Sequence, residues 1–166
     1  MNSDENKTNL NKSKNFDYDS IIFNIKNNSY KYIGEGSGRR VYDIDNGYVA
    51  KVAKNSKGIA QNKAEYNIAS KDNSNIFANI ISISDDFKVI IMVKAEKVIH
   101  LSFVMDYFHV KNHRELYHLN QIQDIYKKYN LVLKDFGRAS NWGQINGRPV
   151  IVDYGFTREV QKKYYF

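Results

Sequence analysis

The chain has 166 residues, which suits one domain with at most a tail. It has no cysteine, excluding a disulfide framework, zinc–thiolate sites and cysteine nucleophiles, and its polar start and lack of a long apolar run argue against a secretory leader or membrane span. The balance of 25 Lys+Arg against 18 Asp+Glu, a net +7, is compatible with an anionic partner (nucleotide, nucleic acid or acidic protein), but the scattered lysines equally suit an AT-rich coding bias. The expected location is cytoplasmic.

Residues 1–15 contain one strong apolar residue, Leu10, and read as a flexible polar arm. Apolar content begins at Phe16, and Ile21, Ile22, Phe23 and Ile25 form the first packed segment. A strand from Tyr30 to Ile33 enters a glycine cluster at Gly34, Gly36 and Gly38. Val41, Tyr42 and Ile44 follow, then Asp45-Asn46-Gly47, whose Asn-Gly pair suits a type I′ hairpin turn, and a third strand over 48–54. A helix is expected over about 58–70, where Ile59, Asn62, Glu65, Tyr66 and Ala69 fall at helical spacing. Strands over 76–84 and 87–93 flank an Asp85-Asp86 turn. Two helical stripes come next: Leu101, Val104, Met105 and Phe108, then a single longer one from Leu116 to Tyr129, stopped at Asn130. A loop over 134–143, a short strand pair around Ile145 and 149–152, and Asp153-Tyr154-Gly155 complete the pattern, which reads as α+β.

Glycines at a hairpin turn let bare backbone N–H groups approach phosphate, so Gly34, Gly36, Ser37 and Gly38 are candidate phosphate contacts. No Gly-Lys-Ser/Thr follows, which excludes a P-loop. Lys51 on the third strand and Glu65, the only acid on the following helix, can pair and hold nucleotide phosphates. Lys54 is a rival, but strand alternation places it on the opposite face. Near the C-terminus, Asn141 and Asp153 supply hard oxygen ligands suited to Mg²⁺. Asp135 is free to take a proton from an attacking hydroxyl, and Arg138 to neutralise charge on a transferring phosphoryl group. The histidines at 100, 109, 113 and 118 lack an obvious third ligand and read as surface or packing residues rather than a zinc site.

Together these segments resemble the protein-kinase-like fold. Gly34 to Ile44, including Val41, is similar to its glycine-rich loop, Val49 to Ala53 to its strand-lysine motif, Glu65 to its helix-C glutamate and Asp153-Tyr154-Gly155 to its Asp-Phe-Gly. The segment from Gly58 to Glu65 and Asn141-Trp142-Gly143 resemble small kinase-like proteins of bacteriophages and mobile elements. The resemblance implies a five-stranded antiparallel N-lobe with helix C over 16–97, and a truncated helical C-lobe over 98–166. It further implies ATP and Mg²⁺ as cofactors, with adenine held by backbone groups near Lys94 and Ala95. There are departures. Arg39 stands where the pattern has its third glycine, Leu133-Lys134-Asp135 replaces His-Arg-Asp, and Asn141 lies one place late, leaving Ser140 at the expected spacing. Little chain follows Asp-Tyr-Gly, so the usual substrate platform is not expected.

The leading expectation is a minimal ATP- and Mg²⁺-dependent phosphotransferase acting on a protein or small-molecule hydroxyl. The alternatives are a nucleotide-binding pseudokinase that acts through a protein partner, and a basic nucleic-acid-binding module without a recognised motif. A homodimer or partner protein is expected to cover the apolar faces of the two late helices.

Overall fold

The computed structural model describes residues 15–165, so nearly all of the expected arm lies outside the described residues. The first helix, α1 (Tyr18–Lys26), starts at Asp17, whose side chain accepts the Ser20 N–H at 3.1 Å. This is the N-cap arrangement that satisfies an otherwise orphaned helix donor. Three strands follow, β1 (Lys31–Glu35), β2 (Arg39–Asp43) and β3 (Tyr48–Ala53). The turn between β2 and β3 has positive φ at Asp45, Asn46 and Gly47, the left-handed backbone for which the Asn-Gly pair is suited. Helix α2 (Ser56–Lys71) begins two residues earlier than the apolar spacing suggests, because Asn55 caps it by accepting the Gly58 N–H at 3.2 Å.

Strands β4 (Ile80–Ile83) and β5 (Val89–Val93) complete a five-stranded antiparallel sheet in the order β1-β2-β3-β5-β4. The fourth strand is shorter than expected. Residues 76–78 leave it to bond Ile151 instead: Ala78 N–H donates to the Ile151 carbonyl, and Ile151 N–H to the Ile76 carbonyl. A second sheet joins β6 (Glu96–Lys97), β7 (Trp142–Ile145) and β8 (Arg148–Ile151), the last two as a hairpin turning at Asn146-Gly147 with positive φ at both.

Between these strands run α3 (Ser102–Tyr107), α4 (His113–His118) and α5 (Asn120–Lys128). The single long stripe expected from Leu116 onward is broken at Leu119, whose extended ψ of 133 separates two helices. Asn130 ends the second of them at φ 53, as expected. Two 3-10 turns, Leu133–Gly137 and Ala139–Asn141, carry the chain into β7, and α6 (Arg158–Tyr165) follows β8. Sequence periodicity gave no warning of α6.

The main sheet is buried on both faces, and strand alternation sorts its residues between two cores. Ala50 and Ile91 pack with Ile21 of α1, while Val49 and Met92 join Ile68, Phe77 and the late helices. The apolar stripe expected to need a partner is already covered: Val104, Leu116, Ile122 and Ile125 are buried against Phe136, Trp142 and their neighbours. No described helix is long and apolar enough to cross a membrane.

Candidate active site

Lys51 sits in the middle of β3, opposite Val41 on one side and Ile90 on the other, on the face that looks toward α2. Its ammonium donates to both oxygens of Glu65, at 2.9 and 3.1 Å, and also to the Val152 carbonyl. Glu65 is completely buried and collects more than this pair. Arg39 grips it from β2 with a two-pronged fork, at 2.8 Å to Oε2 and 2.9 Å to Oε1. The N–H groups of Tyr154 and Gly155 donate to Oε1 at 3.0 and 3.2 Å. One carboxylate thereby ties β2, β3, α2 and the segment after β8. Gly155 is suited to this position because a Cβ there would stand 2.5 Å from the Gln61 carbonyl oxygen.

Arg39 is the residue sequence reasoning missed. It is buried, and besides Glu65 it donates to Asp153 Oδ1 at 2.9 Å and Asn62 Oδ1 at 3.2 Å. Alternation contained the signal: Arg39 and Val41 share a face of β2, and Val41 is the register partner of Lys51. Once Lys51 is chosen, Arg39 must look the same way.

Burial by itself raises the Glu65 carboxyl, but the charges of Arg39 and Lys51 overcome it and hold the group down at about 2. Arg39 is driven up by Glu65 and Asp153 against the penalty of burial. Lys51 is lowered, by burial first and then by the like charge of Arg39, which together outweigh its attraction to Glu65. The cluster is an ion-paired, hydrogen-bonded network, and it is closed: among the described residues no buried side-chain polar atom lacks a partner.

The network forms one wall of a cavity of about 910 Å³ between the two sheets. Gly34, Gly36 and Ser37 roof it, and Val41, Lys51 and Ala95 line its inner side. Asp135, Arg138, Asn141 and Asp153 line the opposite side, so the glycine turn, the strand lysine and both C-terminal loops face one space. Three expected contacts sit elsewhere. Glu65 lies behind Lys51, bonded to its ammonium and off the cavity surface. Gly38 packs on α2, where a Cβ would come within 2.9 Å of the Gly58 nitrogen, and its carbonyl accepts the Lys54 N–H at 2.8 Å. Lys94 leaves the cavity: its N–H bonds the Gly47 carbonyl at 2.8 Å and its ammonium pairs with Asp43 at 2.5 Å. The rival Lys54 is not part of the lining and pairs with Glu35 at the cavity edge, at 2.6 Å.

Asp135 stands on the first 3-10 turn with its carboxyl raised, chiefly by burial, against the lowering effect of Arg138 and with a further rise from Asp153. Arg138 Nε approaches it at 3.7 Å, from a largely exposed position. Asn141 is fixed at both ends. Its side-chain NH₂ donates to the Asp135 carbonyl at 3.0 Å and its carbonyl accepts the Val152 N–H at 2.8 Å. With its nitrogen so occupied, Asn141 presents an amide oxygen. Asp153 is half exposed and commits one oxygen to Arg39, leaving the other for a cation. One carboxylate oxygen and one amide oxygen make a hard, incomplete donor set of the kind Mg²⁺ completes with phosphate and water, so the residues fit that ion. Among the described residues no group of three or more His, Cys, Asp or Glu side chains is placed to hold a metal unaided.

Helix α6 adds a rim not expected from sequence, through Gln161 and Tyr165, together with Phe156 just before it. The Tyr165 hydroxyl hydrogen-bonds Ser37 Oγ across the mouth, and Lys57 lies 4.5 Å over its ring.

No protein-family model and no curated protein matches the chain. Among solved structures it is similar to APH(2'')-IIa in a ternary complex with streptomycin and ATP, with 17% identity over 85% of this chain and 72% of that one and a TM-score of 0.47. It is also similar to the ADP-bound aminoglycoside phosphotransferase APH(2'')-Ib (19% identity, 83% and 69% covered, TM-score 0.46). The bifunctional kinase-methyltransferase WbdD is matched at 16% identity over 71% of this chain and 29% of that chain, with a TM-score of 0.39.

Proposed function

We propose that the chain is a kinase-like phosphotransferase that binds ATP in the cavity between its sheets. The observation that carries this reading is Lys51 on the cavity wall, paired from behind with buried Glu65 and faced across the space by Asp135, Asn141 and Asp153. A lysine held by a helix carboxylate meets α- and β-phosphates as a fixed positive charge, and the glycine turn above it leaves room for a phosphate chain. Asp153 and Asn141 would hold Mg²⁺, which would screen the phosphates. Asp135, with its raised carboxyl, would accept the proton of an acceptor hydroxyl, and Arg138, largely exposed beside it, would meet charge on the transferring group. Residues 16–97 then act as the nucleotide-holding lobe and 98–166 as the lobe carrying base and metal ligands.

A second reading, nucleotide binding without transfer, is favoured by one observation: Arg39 already holds an oxygen of Asp153. One experiment separates the two. In a thermal-shift titration, ATP with Mg²⁺ at a hundredfold excess over its dissociation constant should stabilise the chain by about 3 kcal/mol, and Lys51→Met should abolish the shift. Asp135→Ala should keep the shift but end phosphate transfer from labelled ATP to the chain itself or to added acceptors. A shift with no transfer by the unsubstituted chain supports the second reading; no shift with any nucleotide sinks both.

A further inference from the structure

Arg39 does more than fill a gap in the wall. Its fork to Glu65 and its bond to Asp153 use donors on both terminal nitrogens, and the third partner, Asn62, is itself anchored by donating to the Phe87 carbonyl at 2.8 Å. The guanidinium is thus built into the floor of the cavity, between the carboxylate that orients Lys51 and the carboxylate suited to the metal.

The charge count at this floor decides what it attracts. Lys51, Glu65 and Asp153 alone sum to −1, a floor that repels a polyphosphate until a divalent cation covers Asp153. With Arg39 the four groups sum to zero, and Asp153 is already neutralised by a charge-assisted bond. A buried guanidinium cannot deprotonate and is not displaced cheaply, since removal would strand Glu65. Asp153 also keeps only one oxygen for a metal, which reduces what that metal gains by binding there.

Resting on the nucleotide reading of the cavity, we infer that Arg39 takes over the charge-neutralising part of a metal's work, so that nucleoside triphosphate binds this chain without a divalent cation. Arg39 acts through Asp153 and Glu65 and is a positioning residue. Metal, where present, then serves transfer rather than binding.

The test is calorimetric titration of the full chain with ATP, first in excess EDTA and then in excess MgCl₂. The two dissociation constants should agree within about threefold, and a larger loss in EDTA overturns the inference. Arg39→Met should bind ATP at least about tenfold more weakly in EDTA, with Mg²⁺ restoring most of the loss. An Arg39→Met chain that melts cooperatively and binds ATP as well in EDTA as in Mg²⁺ removes Arg39 from the explanation. Arg39→Lys, which keeps the charge, should stay insensitive to metal, and the comparison on the unsubstituted chain holds even where Arg39→Met fails to fold. Binding seen only with Mg²⁺ overturns this inference and leaves the nucleotide reading standing, whereas no binding in either buffer overturns both.

Discussion

Two cations share one carboxylate at Glu65, and this asymmetry fixes what each substitution costs. Lys51→Met leaves Arg39 and the Tyr154 and Gly155 N–H groups on Glu65, so the buried carboxylate keeps a counter-charge and hydrogen bonds, and the loss should be modest, about 1 kcal/mol. Glu65→Gln leaves Arg39 and Lys51 facing each other without their counter-charge and should cost about 3–5 kcal/mol. Urea unfolding of the two variants checks the order, and equal losses would contradict the picture of one shared anion. Residue identity carried much of this site: a lysine on an apolar strand and a lone acid on the next helix are legible as a pair because both types have few other reasons to lie there. Arg39 was not legible in the same way. Arginine beside a glycine turn reads as solvated, and only the register that pairs Val41 with Lys51, setting Arg39 on the same face, turns it inward.

At the scale of elements, the glycine turn and α2 are locked together by a backbone contact as well as by the Asn55 side chain, which donates to the Ser37 carbonyl at 3.1 Å. A Cβ on Gly58 would stand 2.1 Å from the Gly38 carbonyl oxygen, so β2 begins against the first turn of α2 with no room for a methyl group. Helix propensity alone says Gly58→Ala should gain about 1 kcal/mol. The clash is with backbone and cannot be relieved by a rotamer, so the expected result is a loss of about 1–3 kcal/mol together with weaker ATP binding as the turn shifts. Thermal melts with and without ATP measure both, and a stabilised variant would show the contact to be looser than described. The elements themselves were readable where the period was long or the turn residues were diagnostic, as at Asn46-Gly47 and in α2. The break at Leu119 was hidden because apolar spacing continues through it and the kink lies in one extended ψ. Helix α6 was hidden by composition: it is rich in Lys and Tyr, and it is held by Val160 in the core and by Tyr165 on Ser37, contacts that exist only in the folded chain.

Over the whole molecule, the Arg39–Glu65–Lys51–Asp153 network joins the sheet, α2 and the segment leading to α6, so its protonation state bears on the cooperativity of the entire fold. The Glu65 carboxyl is held at about 2 when folded, against an ordinary value of 4.5. Its folded value lies below its unfolded one, so the folded chain releases this proton more readily and is favoured wherever the carboxylate is ionised. That contribution is fully present above pH 4.5 and is lost progressively as pH falls toward 2. A difference of this size corresponds to about 3 kcal/mol, a large share of the roughly 5–15 kcal/mol by which domains are stable. The lowered carboxyls of Asp17, Glu35 and Asp86 titrate in the same direction but lie at the surface, where solvent screens them, and the half-buried Asp43 is paired with an exposed Lys94. Urea midpoints should therefore stay nearly flat from neutral pH down to 4.5 and then fall steeply, all probes moving together. The same series on Glu65→Gln should start lower and lose less over the acid limb, because the group that dominates the slope is gone. An acid limb equally steep in that variant would assign the loss to the surface carboxylates and detach the buried network from the stability of the fold.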